Sequence, residues 1–246
     1  MKIDIALLRD GMRKIVTYEY EPRQKDEKPM VLDVLLQAQA TSLPDLAFRY
    51  GCRARNCGVC TVDINGRPRI ACRARVREGD VISPMGTLPA LSDLVVRRDG
   101  IARQLRGRVF ATSAGDALNK EAPKVFHDLT ACIECYACLE GCPMHLRNFE
   151  GSKPAESDME EMPDTMDGYQ WGNPFSLLKL ERSRLDPVAT EAVRRNAVEA
   201  AIGLGLDACV NCAGCKCGIG INLKNQVIAP LLAAAGQGIT EAREDG

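Results

Sequence analysis

The chain is 246 residues long, 46% hydrophobic, and balances 32 lysines and arginines against 33 acids, for a net charge of −1 and an isoelectric point near 6.2. That balance argues against a general nucleic-acid binder, and the length allows one or two domains whose cores need no disulfide staples. Met1-Lys2-Ile3-Asp4 opens no signal sequence, and Pro230 interrupts the longest apolar run, Val227 to Ala235; we expect a chain soluble by itself, in the cytoplasm, where thiols stay reduced.

In chain order, Ile3, Ile5 and Leu7 alternate with Lys2, Asp4 and Ala6 before Asp10-Gly11, and a second strand-like stretch runs from Lys14 to Tyr20, which together predict a hairpin. From Met30 the period becomes helical, with Leu32, Leu35, Leu36 and Gln39 on a stripe closed before Pro44. Cys52, Cys57 and Cys60 follow in C-x4-C-x2-C spacing, with Cys72 twelve residues on. Asn65-Gly66 separates two short extended runs, so a two-residue turn pairs Ile64 with Arg67 and Cys60 with Ala71, which carries Cys72 back to Cys60. Pro68 has no N–H to donate, which assigns its strand to an edge or turns its N–H side outward.

Between Arg106 and Phe126 the residues Gly107, Ala111, Ser113, Gly115 and Pro123 carry no sustained period, and we read a passage between a first domain, residues 1–106, and a second, 107–246. The second contains Cys132, Cys135, Cys138 and Cys142 in C-x2-C-x2-C-x3-C-P spacing, then Cys209, Cys212, Cys215 and Cys217 in a compressed C-x2-C-x2-C-x-C. Asp186-Pro187 predicts a helix start, with Val188, Ala192, Val193, Ala197, Ala200, Ala201 and Leu204 on one face leading into the third group. A last helix is expected over about Leu223 to Ala235, kinked or divided at Pro230.

No cysteine lies outside these three groups of four. Catalytic thiols would need one or two cysteines beside a base, and His127 and His145 are the only histidines. Zinc sites usually set two C-x2-C knuckles well apart, whereas here three or four ligands crowd one loop; zinc stays open for the third group alone. The first two spacings are signatures of thiolate-bound iron–sulfur clusters, and three centres that exchange single electrons read as a wire between two partners. In two-cluster ferredoxins the cysteine before proline crosses to the other cluster. By that rule Cys132, Cys135, Cys138 and Cys217 hold one 4Fe-4S centre and Cys142, Cys209, Cys212 and Cys215 another, with a 2Fe-2S centre on Cys52, Cys57, Cys60 and Cys72. Charge is uneven: Arg49, Arg53, Arg55, Arg67, Arg69, Arg73, Arg75 and Arg77 surround the first group, and Glu156, Asp158, Glu160, Glu161, Asp164 and Asp167 crowd a later stretch. Solvated surface is the simpler reading of both; a docking patch is the functional one.

The order of parts resembles the iron–sulfur subunit of the succinate dehydrogenase and fumarate reductase family. Beyond the cysteines, the likeness rests on Leu46-Ala47-Phe48-Arg49, Leu88 through Val96, Asn173-Pro174-Phe175-Ser176-Leu177-Leu178, Asp186, and Gly220-Ile221-Asn222. It implies an α+β chain with an N-terminal plant-type ferredoxin-like (β-grasp) domain and a C-terminal all-α bacterial-ferredoxin-like domain. It further implies FAD on a catalytic partner subunit, and a membrane anchor with quinone as acceptor, the chain then sitting peripherally on the cytoplasmic face of the membrane. A soluble flavin-dependent oxidoreductase without an anchor is the alternative. Three local departures stand out. The family's third motif has three cysteines and a 3Fe-4S centre, which therefore stays open here, yet Cys212 occupies the missing position. Cys215 and Cys217 are one residue apart, with Gly218 where proline is usual. The tryptophan and histidine expected near the quinone are replaced by the stretch Pro143-Met144-His145-Leu146 and by Val210, so direct quinone reduction at the usual site is not expected; Trp171 is expected to be a packing or interface residue and His145 a surface or hydrogen-bonded one.

Overall fold

A computed structural model describes residues 1–24, 27–109, 120–149 and 169–244. The expected interdomain residues Ala111, Ser113 and Gly115, and the acidic run from Glu156 to Asp167, lie outside the described residues. The fold is α+β, and its contacts divide it into two units.

The first unit is built on a five-stranded mixed sheet of order β2-β1-β5-β3-β4. Strands β1 (Lys2–Arg9) and β2 (Met12–Glu19) form the expected hairpin, in register from Lys2 opposite Glu19 to Arg9 opposite Met12. Asp10 and Gly11 both have positive φ, 52° and 75°, the pair of left-handed residues that a two-residue turn demands. Strands β3 (Thr61–Ile64) and β4 (Arg67–Ile70) repeat the device around Asn65 and Gly66, pairing Ile64 with Arg67, and the Ala71 N–H donates to the Cys60 carbonyl at 3.0 Å. Pro68 lies in β4, at the sheet edge, as a residue without an N–H must. Between these hairpins runs β5 (Val81–Ser83), parallel to β1 and antiparallel to β3. A second small sheet pairs β6 (Ala90–Ser92) with β7 (Val95–Val96).

Helix α1 (Val31–Thr41) ends before Pro44 and buries Val31, Leu32, Val34, Leu35 and Ala38, the i, i+3, i+4 stripe of an amphipathic helix. Ile3, Ile5 and Leu7 bury the alternate face of β1. Each such fully buried aliphatic contributes about 1.5–3 kcal/mol, and together they hold the scaffold from which the first cysteine loop projects.

The first unit ends at Arg98 rather than near 106, and it also takes in Ile133–Glu140. A stretch holding two of the second group's cysteines thus packs with the sheet domain, across the boundary expected from the sequence.

The second unit is helical. It contains α2 (Asp99–Arg103), α3 (Lys124–Thr130), α4 (Pro143–Leu146), α5 (Pro174–Leu185), α6 (Glu191–Gly203) and α7 (Ala229–Glu244). Asn173 caps α5: its Oδ1 accepts the Ser176 N–H at 3.0 Å while its own N–H donates to Ser176 Oγ at 2.9 Å. Helix α6 begins at Glu191, after the Thr190 cap, and not at Asp186-Pro187. Asp186 Oδ1 instead accepts the Val188 N–H at 3.0 Å, closing a turn, and Thr190 Oγ1 takes the Val193 N–H at 3.3 Å. Of the predicted stripe, Ala197, Ala201 and Leu204 are buried, whereas Ala192 is exposed. The last helix is not divided at Pro230: a π-helical turn, Lys224–Ile228, leads directly into α7, of which Pro230 is the second residue, and the Ala229 N–H reaches back to the Lys224 carbonyl. Among the described residues no helix is long and apolar enough to cross a membrane.

Candidate metal centres

The first cysteine group hangs between α1 and β3 and is closed by the β3–β4 hairpin. Arg53 and Arg55 are left-handed, with φ of 54° and 62°. The N–H groups that follow them, on Ala54 and Asn56, donate to Cys52 Sγ at 3.3 and 3.2 Å, and the Cys52 N–H reaches Cys57 Sγ at 3.5 Å. These donors favour the anion, so the Cys52 thiol falls to about 7, through the Ala54 and Asn56 bonds first and then Cys57. Cys60 behaves oppositely: burial pushes it up to about 11, with the Cys72 and Cys57 thiols adding to the rise. Cys60 and Cys72 are buried, Cys57 is half-buried and Cys52 is exposed. All four are thus linked in a chain of contacts, open to solvent at Cys52.

In the second group, Cys135 is buried and Cys138 lies in a 3-10 turn, Ala137–Leu139. Both fall in the first unit, whereas Cys132 and Cys217 fall in the second. Left-handed Glu134 and Tyr136, with φ of 54° and 59°, flank Cys135. Its backbone presses on the first loop: a Cβ built on Gly58, φ 63°, would stand 2.3 Å from the Ile133 carbonyl oxygen and 2.8 Å from the Cys135 nitrogen. Arg98 spans the same seam. Its Nη1 and Nη2 both donate to the Gly58 carbonyl at 3.2 Å, Nη2 also reaches the Val59 carbonyl at 3.3 Å, and the guanidinium lies 5.4 Å from the Tyr136 ring centroid. Its Nε is buried with no hydrogen-bond partner among the described residues, and its charge acts on both Cys135 and Cys60.

The third group assembles within the second unit. Cys142 caps α4 with Pro143 in the first turn, and it is buried. Burial raises its thiol, against donation from the backbone N–H groups of His145 and Met144, and Cys212 raises it further. Cys209 and Cys215 are each pushed up to about 12, first by burial and then by the neighbouring thiols, Cys142 and Cys212 among them in both cases. Cys142, Cys209, Cys212 and Cys215 therefore form one mutually repelling set, brought together although Cys142 is far away in sequence. Cys217 is not in that set; its sulfur accepts the Ile219 N–H at 3.5 Å.

Crowded thiols that resist ionisation, first through burial and then through their neighbours, suit a cationic iron centre, which removes that penalty, and backbone N–H groups aimed at sulfur suit cluster thiolates. Among the described residues no three His, Cys, Asp or Glu side chains form a single-ion cage. The groups are recognised instead by spacing, N–H donors and charge coupling.

The other candidates are structural. His145 is fully buried, not at the surface, with Phe149 and Tyr169 edge-on at 5.1 and 5.5 Å. Trp171 packs as expected, its ring 5.2 Å from the Arg147 guanidinium and against Gly205, and its backbone N–H donates to Asn148 Oδ1 at 2.8 Å. His127 is exposed on α3. Val210, beside Cys209, is 63% exposed. The arginines around the first group are exposed save the half-buried Arg55, which fits solvated surface. Sequence reasoning missed Arg98 and Gly58. Arg98 lies outside every motif and Gly58 is an unspecified position between Cys57 and Cys60, and only the approach of the 133–136 backbone gives them meaning.

Residues 7–103 match the model of a 2Fe-2S iron-sulfur cluster binding domain. The chain is 30% identical over 217 residues to a subunit of the fumarate reductase (CoM/CoB) of Methanothermobacter marburgensis, covering 85% of this chain and 39% of that protein. It is 31% identical over 144 residues to the mitochondrial succinate dehydrogenase [ubiquinone] iron-sulfur subunit 1 of Oryza sativa, covering 54% and 51%. Against the fumarate reductase iron-sulfur subunit of Wolinella succinogenes it is 30% identical over 159 residues, covering 53% and 66%. The chain thus spans less than two thirds of the length of these relatives. In fold it matches a chain of the Mycobacterium smegmatis Sdh1 complex in the apo form, with a TM-score of 0.76 at 22% identity, covering 96% of this chain and 95% of that one. In sequence, then, the chain is similar to iron–sulfur subunits of succinate dehydrogenase and fumarate reductase, and in fold to a chain of an Sdh1 complex.

Proposed function

We propose that this chain is the electron-relay subunit of a flavin-dependent complex of the succinate dehydrogenase/fumarate reductase type, with FAD on a partner subunit. The first unit is then a plant-type ferredoxin (β-grasp) domain with a 2Fe-2S centre on Cys52, Cys57, Cys60 and Cys72. The helical unit corresponds to a bacterial-ferredoxin-like domain. Cys132, Cys135, Cys138 and Cys217 hold the middle 4Fe-4S centre, and Cys142, Cys209, Cys212 and Cys215 hold the third, also 4Fe-4S. When bound, each such centre takes up and gives back one electron.

The chain's own residues do the rest. Backbone N–H groups after Arg53 and Arg55 steady the Cys52 sulfur, the hairpin returns Cys72 to Cys60, and Pro143 directs Cys142 away from its own motif. The observation that carries the reading is the coupling of Cys142 with Cys209, Cys212 and Cys215, because a crossed fourth ligand is what two adjacent cubane centres require. Iron–sulfur centres exchange electrons and offer no bond chemistry of their own, so in this reading the carbon substrate belongs to the partner. An acceptor on a membrane anchor, with this chain peripheral on the cytoplasmic face, follows the same relationship.

Anaerobic purification with the copurifying subunits tests this. The expected result is a flavoprotein partner and about ten irons with matching acid-labile sulfide per chain, the content of one two-iron and two four-iron centres. Zinc in place of iron and sulfide would overturn it. A flavoprotein without hydrophobic small subunits would remove the membrane anchor but keep the relay.

A further inference from the structure

We propose that Arg98 is a single positive charge shared by the first and the middle iron–sulfur centres, favouring an electron on either and so matching their potentials across the Gly58 seam. The inference rests on the relay reading for the centres themselves and adds a residue outside every cysteine motif. Arg98 sits where both groups meet: its guanidinium binds the Gly58 and Val59 carbonyls just ahead of Cys60, and it lies over the ring of Tyr136, the neighbour of Cys135. Three N–H···O bonds and a ring fix its position. Its Nε–H is buried with no hydrogen-bond partner among the described residues, a donor free for a cluster sulfur. Of the arginines around the first group, Arg49, Arg53, Arg67, Arg69, Arg73, Arg75 and Arg77 are exposed, where water screens them, and Arg55 alone among them is half-buried.

The physical argument concerns charge. A thiolate-bound centre becomes more negative on reduction, so a fixed cation nearby raises its potential, more strongly where solvent is excluded. A charge acting on one centre would separate the potentials of two neighbours. A charge held between them moves both together, which preserves the driving force from one to the next. Arginine suits the position because it stays protonated when partly buried.

The test uses the complex purified anaerobically with wild-type chain, Arg98→Met and Arg98→Lys. Iron and acid-labile sulfide are assayed, and a potentiometric titration is followed by electron paramagnetic resonance of the reduced centres. For Arg98→Met the ratio of reduced to oxidised centre at the wild-type midpoint should fall on the order of tenfold in both the first and the middle centre, equivalent to about 59 mV for one electron. Arg98→Lys should stay within about twofold of wild type. Unmoved potentials in a fully loaded Arg98→Met chain would overturn the proposal, as would a shift in one centre only, or equal shifts in the methionine and lysine variants. Loss of clusters from both variants would mark Arg98 as a pin of the fold and overturn it as well. A wild-type chain without iron and sulfide would instead sink the relay reading, so the two failures are distinguishable.

Discussion

Replacing Gly58 with alanine tests the closest backbone approach beside the first cysteine group. Two costs add. At φ 63° an alanine Cβ meets the left-handed penalty of about 1–2 kcal/mol. It would also stand 2.3 Å from the Ile133 carbonyl oxygen, against the 3.0 Å below which such contacts essentially never occur, so one backbone must retreat by about 0.7 Å, the difference. Both neighbouring atoms are backbone, so no side chain can swing away, and overpacking of this kind costs about 1–3 kcal/mol. The expected loss is about 2–5 kcal/mol. Gly66→Ala is the internal control, because Gly66 has φ 74° with nothing within 4 Å of the added Cβ and should show only the conformational cost. Thermal midpoints of the loaded chain, at one scan rate, read the difference between the two variants. The magnetic coupling between the reduced first and middle centres reads the widening of the seam. Equal midpoints for the two variants, with unchanged coupling in Gly58→Ala, would refute the close approach.

Other outcomes follow from the same groups. Cys212→Ser should create an oxidised-state paramagnetic signal of a three-iron centre that anaerobically prepared wild type lacks; a stoichiometric signal in wild type would make Cys212 a bystander. In the metal-free chain at pH 7, iodoacetamide should modify Cys52, with its thiol near 7, well before Cys60, whose thiol at about 11 leaves on the order of 10⁴-fold less anion than thiol. The Cys52 rate should climb as pH rises through about 7 and then level off, while the Cys215 rate, with a thiol near 12, should still be climbing at about pH 10; peptide mass spectrometry reads both. Asn173→Ala removes the α5 cap and leaves the buried Gln104 without the donor that now reaches its Oε1 at 3.1 Å, a loss of about 2–4 kcal/mol measurable as a lowered midpoint.

The parts legible in the sequence are those with local causes. Asp10-Gly11 and Asn65-Gly66 specify their turns, and with them the registers that return Cys72 to Cys60. Cys142-Pro143 announces the start of α4, which proline in the first turn favours. Local cause also misleads. Asp186-Pro187 looks like a cap and first turn, yet the Asp186 carboxylate closes on Val188 and leaves Thr190 to start α6. Strand β5 has three residues and exists because β1 and β3 flank it, which no window of sequence reveals. The edge of the first unit is hidden for the same reason: Ile133–Glu140 packs with the sheet through a contact at Gly58 that sequence separation conceals.

The two loops that hold Cys52 and Cys135 share a backbone device their cysteine spacings do not betray. In the first, residues 53 and 55 are left-handed and the N–H groups of 54 and 56 turn onto sulfur. In the second, residues 134 and 136 are left-handed at the same interval of two, around Cys135. Alternation of left- and right-handed residues makes a concave nest of N–H groups, which holds an anion without any charged side chain. An arginine, a glutamate or a tyrosine in that conformation costs about 1–2 kcal/mol, and none of these types is prone to it, so the strain persists only because something in the loop requires it. For the first loop that requirement is visible: the left-handed dihedral angles of Arg53 and Arg55 turn the next N–H groups onto the Cys52 sulfur, while the Arg53 guanidinium lies over the Tyr50 ring. The arginine-rich composition around the first cysteine group is thus a poor guide to its electrostatics. The donors that act on Cys52 are peptide N–H groups, and the arginine whose charge reaches both Cys60 and Cys135 is Arg98, outside that cluster.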